Sequence, residues 1–144
     1  MVAVRRMWWG MLAVPVLAVA GCGDPDPAPG EPGIENVALG AEFTLAPRDV
    51  AVADEKRLRV RFDEVTGDSR CPEDVDCVWA GTATIVVTVT AGAGESRQEL
   101  QLNPNTGVTV EGYRIDVRKL APARRTDRGI SADDYRVTLV ANRA

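Results

Sequence analysis

Residues 82–90 read TATIVVTVT, the longest run of β-branched residues in the chain. A strand through this run carries mostly threonine on one face and four apolar residues on the other, namely Ala83, Ile85, Val87 and Val89. A period of two is typical of a strand with one buried face, and β-branched side chains at this density disfavour a helix. The run therefore predicts a half-buried strand and, with it, a β-rich domain.

The same period recurs from about residue 40 onward, most clearly in RLRVRF at residues 57–62. Other alternating pairs and runs are Phe43 with Leu45, Leu100 with Leu102, Val108 with Val110, residues 113–117 and residues 135–141. Turn-forming residues separate them, as in a β-sandwich or barrel. We expect residues 40–144 to form one all-β domain, an antiparallel β-sandwich of seven or eight strands. DDYRV at residues 133–137 makes an immunoglobulin-like arrangement a candidate.

The N-terminal segment has the features of an export signal. Arg5 and Arg6 precede an apolar run at residues 7–19, and small residues follow it. Val19-Ala20-Gly21-Cys22 resembles the lipobox of bacterial lipoproteins, which implies that residues 1–21 are removed and that Cys22 carries lipid. A plain secreted protein is the alternative. Lipidation would anchor the chain to a bacterial cell membrane or outer membrane, with its domain in the periplasm or outside the cell.

A linker follows the proposed lipidation site. GDPDPAPGEPG at residues 23–33 is rich in proline, glycine and acids, a composition that does not bury apolar surface. We therefore expect residues 22–39 to be the lipidated cysteine and a disordered tether between the membrane and the sandwich.

Composition excludes several kinds of function. The chain has no histidine, which removes the commonest general base and metal ligand. Without residues 1–21 the chain keeps 15 basic and 21 acidic side chains, a net charge of −6. Because nucleic-acid binding depends on basic contacts to phosphate, we expect no nucleic-acid partner. We expect no cofactor either.

The most informative motif is DSRCPEDVDCVWAG at residues 68–81. Once Cys22 is lipidated, Cys71 and Cys77 are an even pair in an exported protein, which predicts a disulfide. Redox catalysis and zinc binding are disfavoured, because acids surround the thiols and histidine is absent. Trp79 follows Cys77 at the spacing of a strand, so we expect it to pack in the core, with an exposed contact role as the alternative.

Acidic residues around the motif leave two chemical alternatives. Asp63, Asp68, Asp74 and Asp76 are weak candidates for calcium ligands, since calcium prefers carboxylate oxygens, although their spacing matches no calcium loop and no metal is assigned. Carboxylates alone also catalyse glycoside hydrolysis when two are held about 5–10 Å apart. Asp63 or Glu64 with Asp68 or Asp76 would be such a pair, although the sequence points to no catalytic residue.

Asp68-Ser69-Arg70-Cys71-Pro72, followed after four residues by Cys77-Val78-Trp79-Ala80-Gly81, resembles a motif of small uncharacterised exported bacterial proteins, many with lipoprotein signals. The resemblance implies export and a β fold, and it transfers no catalytic residue. We therefore expect a membrane-anchored extracytoplasmic lipoprotein with a binding or structural role in the bacterial envelope, without catalysis. Its partners would be the membrane, through the lipid, and an unknown envelope protein or ligand. A calcium-stabilised module and a carboxylate-dependent hydrolase are the alternatives.

Overall fold

The computed structural model describes residues 32–103 and 106–144, and over these ranges it is a β-sandwich without an α-helix. A single 3-10 turn, Ala132–Asp134, precedes the last strand. The strands are β1 (Ile34–Asn36), β2 (Glu42–Leu45), β3 (Val50–Ala53), β4 (Leu58–Asp68), β5 (Ala83–Ala91), β6 (Gly94–Gln101), β7 (Gly107–Val110), β8 (Tyr113–Ala121) and β9 (Arg136–Arg143). Within the same ranges, no helical segment has the length and hydrophobicity of a membrane span.

The strands form two sheets that pack together. The first has the order β1-β3-β4-β5-β6 and the second the order β2-β9-β8-β7. Every pairing is antiparallel except that of β1 with β3. The predicted antiparallel β-sandwich is therefore confirmed, and each of the seven stretches with alternating apolar residues coincides with a strand.

The core consists of the apolar faces that the sequence predicted. In β5 the four apolar residues of the opening run are at most 1% exposed, and in β4 Leu58, Val60 and Phe62 are equally buried. Val137 and Leu139 of β9 are fully buried from the opposite sheet. Because each such side chain contributes about 1.5–3 kcal/mol when fully buried, these alternating positions hold the sheets together.

Two details of the architecture differ from expectation. The sandwich begins before residue 40, because β1 lies within the predicted tether and pairs in parallel with β3. All three β1 side chains are exposed, so the strand leaves no apolar period in the sequence. The connectivity is also not immunoglobulin-like: β3 to β6 follow one another within one sheet, whereas an immunoglobulin chain crosses between sheets repeatedly. The signal peptide, Cys22 and residues 23–31 lie outside the described residues.

The β4–β5 connection is the longest in the first sheet and carries the cysteine motif. We call residues 69–82 the cysteine loop and residues 121–134, between β8 and β9, the arm. The Arg70 side chain contacts the carbonyl of Leu120, near the end of β8, so the loop and the arm lie at the same end of the sandwich. Residues 54–57 and 92–93, which connect β3 to β4 and β5 to β6, lie at the opposite end.

Candidate functional site: the cysteine loop

Cys71 and Cys77 form a disulfide, as the sequence predicted, with 5.9 Å between their Cα atoms. Cys71 is half-buried and Cys77 is exposed. The ring they close is short, so the chain-entropy estimate of its stabilisation is about 2 kcal/mol. The disulfide therefore closes the outer part of the cysteine loop, while other contacts connect that loop to the sandwich.

Backbone hydrogen bonds extend the β4–β5 hairpin beyond its two strands. We call the paired residues 69–71 and 80–82 the neck. The Ser69 N–H donates to the Thr82 carbonyl over 2.8 Å, and the Cys71 N–H donates to the Ala80 carbonyl over 2.9 Å. The Ser69 hydroxyl also accepts from the Thr82 N–H over 3.2 Å. These contacts hold the two sides of the loop together just before the disulfide.

Gly81 makes this neck possible. Its φ of +64° is a left-handed conformation that side chains disfavour. A Cβ atom at this position would lie 1.8 Å from the Ser69 carbonyl oxygen, well inside van der Waals contact. The glycine that ends the motif is therefore required by the close approach of the two sides of the neck.

An ion pair between Asp68 and Arg70 lies beneath the neck. The Arg70 guanidinium donates to both carboxylate oxygens, with Nε–Oδ1 and Nη2–Oδ2 distances of 2.8 and 2.7 Å. The two side chains are only 8% and 15% exposed. Arg70 also donates to the carbonyls of Leu120 and Pro122, over 2.6 and 2.9 Å. One arginine therefore connects the end of the first sheet to the end of the second.

Tyr135 completes this group by donating its hydroxyl to Asp68 Oδ2 over 3.1 Å. Burial acts to raise the pKa of the Asp68 carboxyl, but the hydrogen bonds and positive charge of Arg70 outweigh it, and the pKa is lowered from its ordinary value of 3.8. Burial and the adjacent Asp68 charge both raise the pKa of Tyr135. The acid is therefore charged and the phenol is neutral at neutral pH, as their hydrogen bond requires.

The arm packs along one side of the loop. The Glu73 N–H donates to the Arg124 carbonyl over 2.9 Å, and Arg124 Nη1 donates to the Arg70 carbonyl over 2.7 Å. Arg125 Nη1 contacts Glu73 Oε1 at 3.1 Å. The Thr126 hydroxyl and N–H both donate to the Asp74 carboxylate, which lowers the pKa of Asp74. These contacts attach the first half of the ring to a segment about fifty residues away in the chain.

The other side of the loop, at residues 78–79, has apolar side chains and makes no such contact within the part of the chain that the structure describes. Val78 is 93% exposed and Trp79 is 84% exposed, and Val75 is also exposed. The expectation that Trp79 packs in the core is therefore wrong. It assumed that a strand runs through Cys77 and Trp79, but β5 begins only at Ala83 and the backbone bends at residues 78–79. The neck directs these residues away from the sheets.

The acidic candidates do not converge on one site. Asp63 binds Arg61 and Thr88, and Glu64 binds Arg97. Asp63 lies between Phe62, opposite Val87, and Glu64, opposite Val86, whereas Asp68 is opposite Ala83. Three to four residues of β5, or about 12 Å, therefore separate Asp63 from Asp68 along the sheet. That distance is too long for a shared calcium ion or for a hydrolytic pair. Within residues 32–103 and 106–144, no three acidic or cysteine side chains are grouped as metal ligands.

A cleft of about 400 Å³ lies beside the loop, between Glu73 and the arm. Arg125, Arg128, Ile130 and Asp134 are among its lining residues. None of Asp63, Glu64, Asp68 and Asp76 lines it, so the carboxylates that the sequence offered as a hydrolytic pair do not meet in this cleft. The pKa of Arg125 is raised by Glu73 and then by Asp127, which makes this arginine a partner of nearby acids.

The sequence identified the loop but did not predict several of its structural residues. The sequence gives no role to Arg70, Arg124 and Tyr135, because the contacts that join the loop to the arm and to β9 involve residues 50 or more positions apart in the chain. Val78 was also overlooked, although a valine next to a tryptophan among acids was the available signal. Comparison with protein-family models, with curated proteins and with solved structures found no match. The motif resemblance therefore stays a prediction.

Proposed function

We propose that the chain is a membrane-anchored extracytoplasmic lipoprotein that binds a partner in the bacterial envelope through the tip of its cysteine loop. Cys22 carries the lipid, residues 23–33 act as a spacer, and the sandwich presents Val78 and Trp79. The binding surface and the anchor are separate parts of one chain. No catalytic step is required of it.

The observation that carries this proposal is the exposure of Val78 and Trp79 on a braced loop. Burying a tryptophan removes about 150–250 Å² from water, so leaving one in solvent forgoes stabilisation that the core could have used. The neck, the disulfide, the Asp68–Arg70 pair and the contacts with the arm account for most other residues of the motif. Within the described residues, Val78 and Trp79 are its most exposed apolar side chains.

The fixed backbone of the cysteine loop also lowers the free-energy cost of binding a partner. Ordering a flexible loop on association costs about 0.5–1.5 kcal/mol for each side chain that becomes fixed. Here the disulfide, the neck and the arm fix the backbone beforehand. Tryptophan is also among the residues most enriched at energetically dominant contact positions. A small contact at this tip can therefore contribute more than its area suggests.

The anchoring part of the proposal is supported by the pattern at residues 1–22 and by the disulfide, which is typical of oxidising compartments. Its test is a Cys22→Ser variant expressed in a bacterium. We expect the wild type to incorporate labelled fatty acid and the variant to incorporate none. Equal incorporation of the label by both proteins would overturn the anchor.

The contact surface is tested by a photo-crosslinking residue at position 78, with the same residue at position 93 as control. Ala93 is exposed at the opposite end of the sandwich, in the β5–β6 turn. We expect adducts from position 78 in the native envelope, reduced about tenfold when Trp79→Ala is added, and none from position 93. Trp79→Ala should leave the thermal midpoint unchanged, because the side chain is exposed.

Two results would contradict the contact surface. One is equal labelling from positions 78 and 93. The other is labelling from position 78 that Trp79→Ala does not reduce in a folded protein. Either result would mean that the cysteine loop stabilises the fold and does not bind a partner.

A further inference from the structure

We propose that the partner of the loop tip is the lipid interface of the membrane that anchors the chain, and that Val78 and Trp79 insert into zwitterionic phospholipid there. This inference rests on the proposed function, because it assumes the Cys22 anchor and the loop as contact surface. It adds the chemical nature of the partner. Three properties of the molecule support it: the direction of β1, the length of the preceding chain and the character of the tip.

The first property is the direction in which the chain reaches the sandwich. β4 runs from Leu58 to Asp68, toward the cysteine loop, and β3 runs the opposite way. β1 is parallel to β3, with Ile34 opposite Val50 and Asn36 opposite Val52. β1 therefore runs away from the loop, and Pro32 and Gly33, which precede it, lie on its loop side. The chain thus enters the described part of the sandwich at the end that carries the apolar tip.

The second property is reach. Eleven residues lie between Cys22 and Ile34, and the twelve Cα–Cα steps that join these two span at most about 40 Å when extended. Ile34 is level with Arg61, and five residues of β5 separate that level from the end of β4, a rise of about 17 Å. β1 lies two strands from β4, or about 10 Å sideways. The linker is long enough for the loop tip to touch the bilayer and too short to hold it far away.

The third property is the character of the tip. Tryptophan is enriched at membrane–water interfaces, where its ring meets apolar chains and its N–H meets polar groups. Glu73 is paired with the Arg125 guanidinium, whereas Asp74 accepts hydrogen bonds from the uncharged Thr126 and keeps its negative charge. The mature chain also carries a net charge of −6, which disfavours an anionic surface. These charges favour zwitterionic lipid over anionic lipid.

A protein pocket would suit Val78 and Trp79 chemically, but nothing in the described residues specifies one. The lipid surface differs from a protein pocket, because the direction of β1 and the length of the linker already bring the loop tip close to the membrane. Anchoring also raises the local concentration of lipid around the tip, so a contact too weak to recruit the free domain becomes occupied. We therefore expect insertion by the anchored protein and little binding by the unanchored one.

Fluorescence provides a direct test, because Trp79 is the only tryptophan after residue 21. The mature chain, residues 22–144, is coupled through the Cys22 thiol to a maleimide lipid in phosphatidylcholine vesicles. The Cys71–Cys77 disulfide leaves Cys22 as the single reactive thiol. This coupling keeps the test independent of whether cells lipidate Cys22. Trp79 emission is then compared between the anchored protein and the same protein in solution.

We expect emission from the anchored protein to move to shorter wavelength, quenching by aqueous acrylamide to fall about threefold, and brominated acyl chains to quench Trp79. Exchanging a third of the lipid for phosphatidylglycerol should weaken this protection, and added salt should restore it. A matched control carries Trp79→Phe with Ala93→Trp, which places the only tryptophan at the opposite end. Its emission should be the same in both states.

Unchanged emission and acrylamide quenching of Trp79 on anchoring would overturn the inference. So would equal protection of the tryptophan at position 93, which would indicate that the domain lies on the membrane without a preferred end. If position 78 crosslinks an envelope protein while the vesicles leave Trp79 exposed, the proposed function stands and the lipid inference falls. If both experiments are negative, both fall.

Discussion

Arg70 is the residue on which the candidate site depends most. Its guanidinium binds the Asp68 carboxylate and the Leu120 carbonyl where little solvent reaches, and it also binds the carbonyl of the exposed Pro122. Arginine suits this position because its planar fork donates in several directions at once, which lysine cannot reproduce. The DSR of the motif thus has a structural explanation that is separate from the contact role of Val78 and Trp79.

We expect Arg70→Lys to destabilise the domain by about 1–3 kcal/mol, since it leaves buried acceptors without donors. The control is Arg97→Lys, which alters an ion pair with Glu64 whose side chains are 61% and 56% exposed. That pair should contribute about 0.5 kcal/mol or less. Urea unfolding measures both free energies. Equal effects of the two substitutions would contradict the role assigned to Arg70.

The Asp68 carboxyl gives this group a pH dependence. Its pKa is below the ordinary value of 3.8 in the folded protein, so unfolding raises the pKa and the unfolded chain binds the proton more readily. The stability that the charged form supplies is therefore present above about pH 4 and is lost as the pH falls through the folded-state pKa.

We expect the difference in unfolding free energy between wild type and Asp68→Asn to be constant above about pH 5 and to shrink below about pH 4. Urea unfolding between pH 2 and pH 7 measures it. Asp54 and Asp74 also have lowered pKa values and remain in both proteins, so the difference isolates Asp68. A difference that stays constant down to pH 2 would show that Asp68 does not contribute this pH dependence.

The cysteine loop is an extension of the β4–β5 hairpin, and backbone hydrogen bonds hold its two sides together. The neck depends on Gly81 for its close approach, and the arm depends on Glu73 and Asp74 for its attachment. The loop therefore behaves as part of the folded domain up to the disulfide. Val78 and Trp79, in contrast, are almost fully exposed among the described residues.

Gly81→Ala tests the neck, with Gly92→Ala as the control. Both glycines have positive φ, of +64° and +58°, but a Cβ at Gly92 would meet nothing within 4 Å. The conformational penalty of about 1 kcal/mol applies to both, whereas only Gly81→Ala adds a clash with the Ser69 carbonyl. We expect Gly81→Ala to destabilise by at least about 2 kcal/mol more in thermal or urea unfolding. Similar losses would contradict the close approach in the neck.

Whether the sequence predicts a strand depends on what stabilises that strand. β5 and β4 are stabilised by burial of alternating side chains, which the sequence records directly. β1 is held by backbone pairing with exposed side chains, and β3 buries both its faces in part, so neither shows a clear period. The disulfide was predictable from the pairing of thiols in an exported chain.

The position of Trp79 was not predictable in the same way. It depends on where the neck ends and on contacts with an arm 50 residues away, and local periodicity contains neither. The same local pattern would place Trp79 inward if β5 began at Cys77.

At the scale of the whole molecule, the two ends of the sandwich differ. The turns of one end are polar, and Asp54 there binds Arg143 and Tyr113. The other end carries the loop, the arm and the start of β1. This difference between the two ends relates the exposed Trp79 to the proposed anchoring of the whole protein.

Acrylamide quenching of Trp79 in the unanchored mature chain tests the central claim most directly, because no other tryptophan contributes to the signal. The account predicts quenching close to that of a free tryptophan derivative, and an emission wavelength that hardly changes when the protein unfolds in urea. The fluorescence anisotropy of the folded form should be high, since the loop is rigid. Strong protection of Trp79, with emission that shifts to longer wavelength on unfolding, would place it in the core and contradict the exposed contact loop.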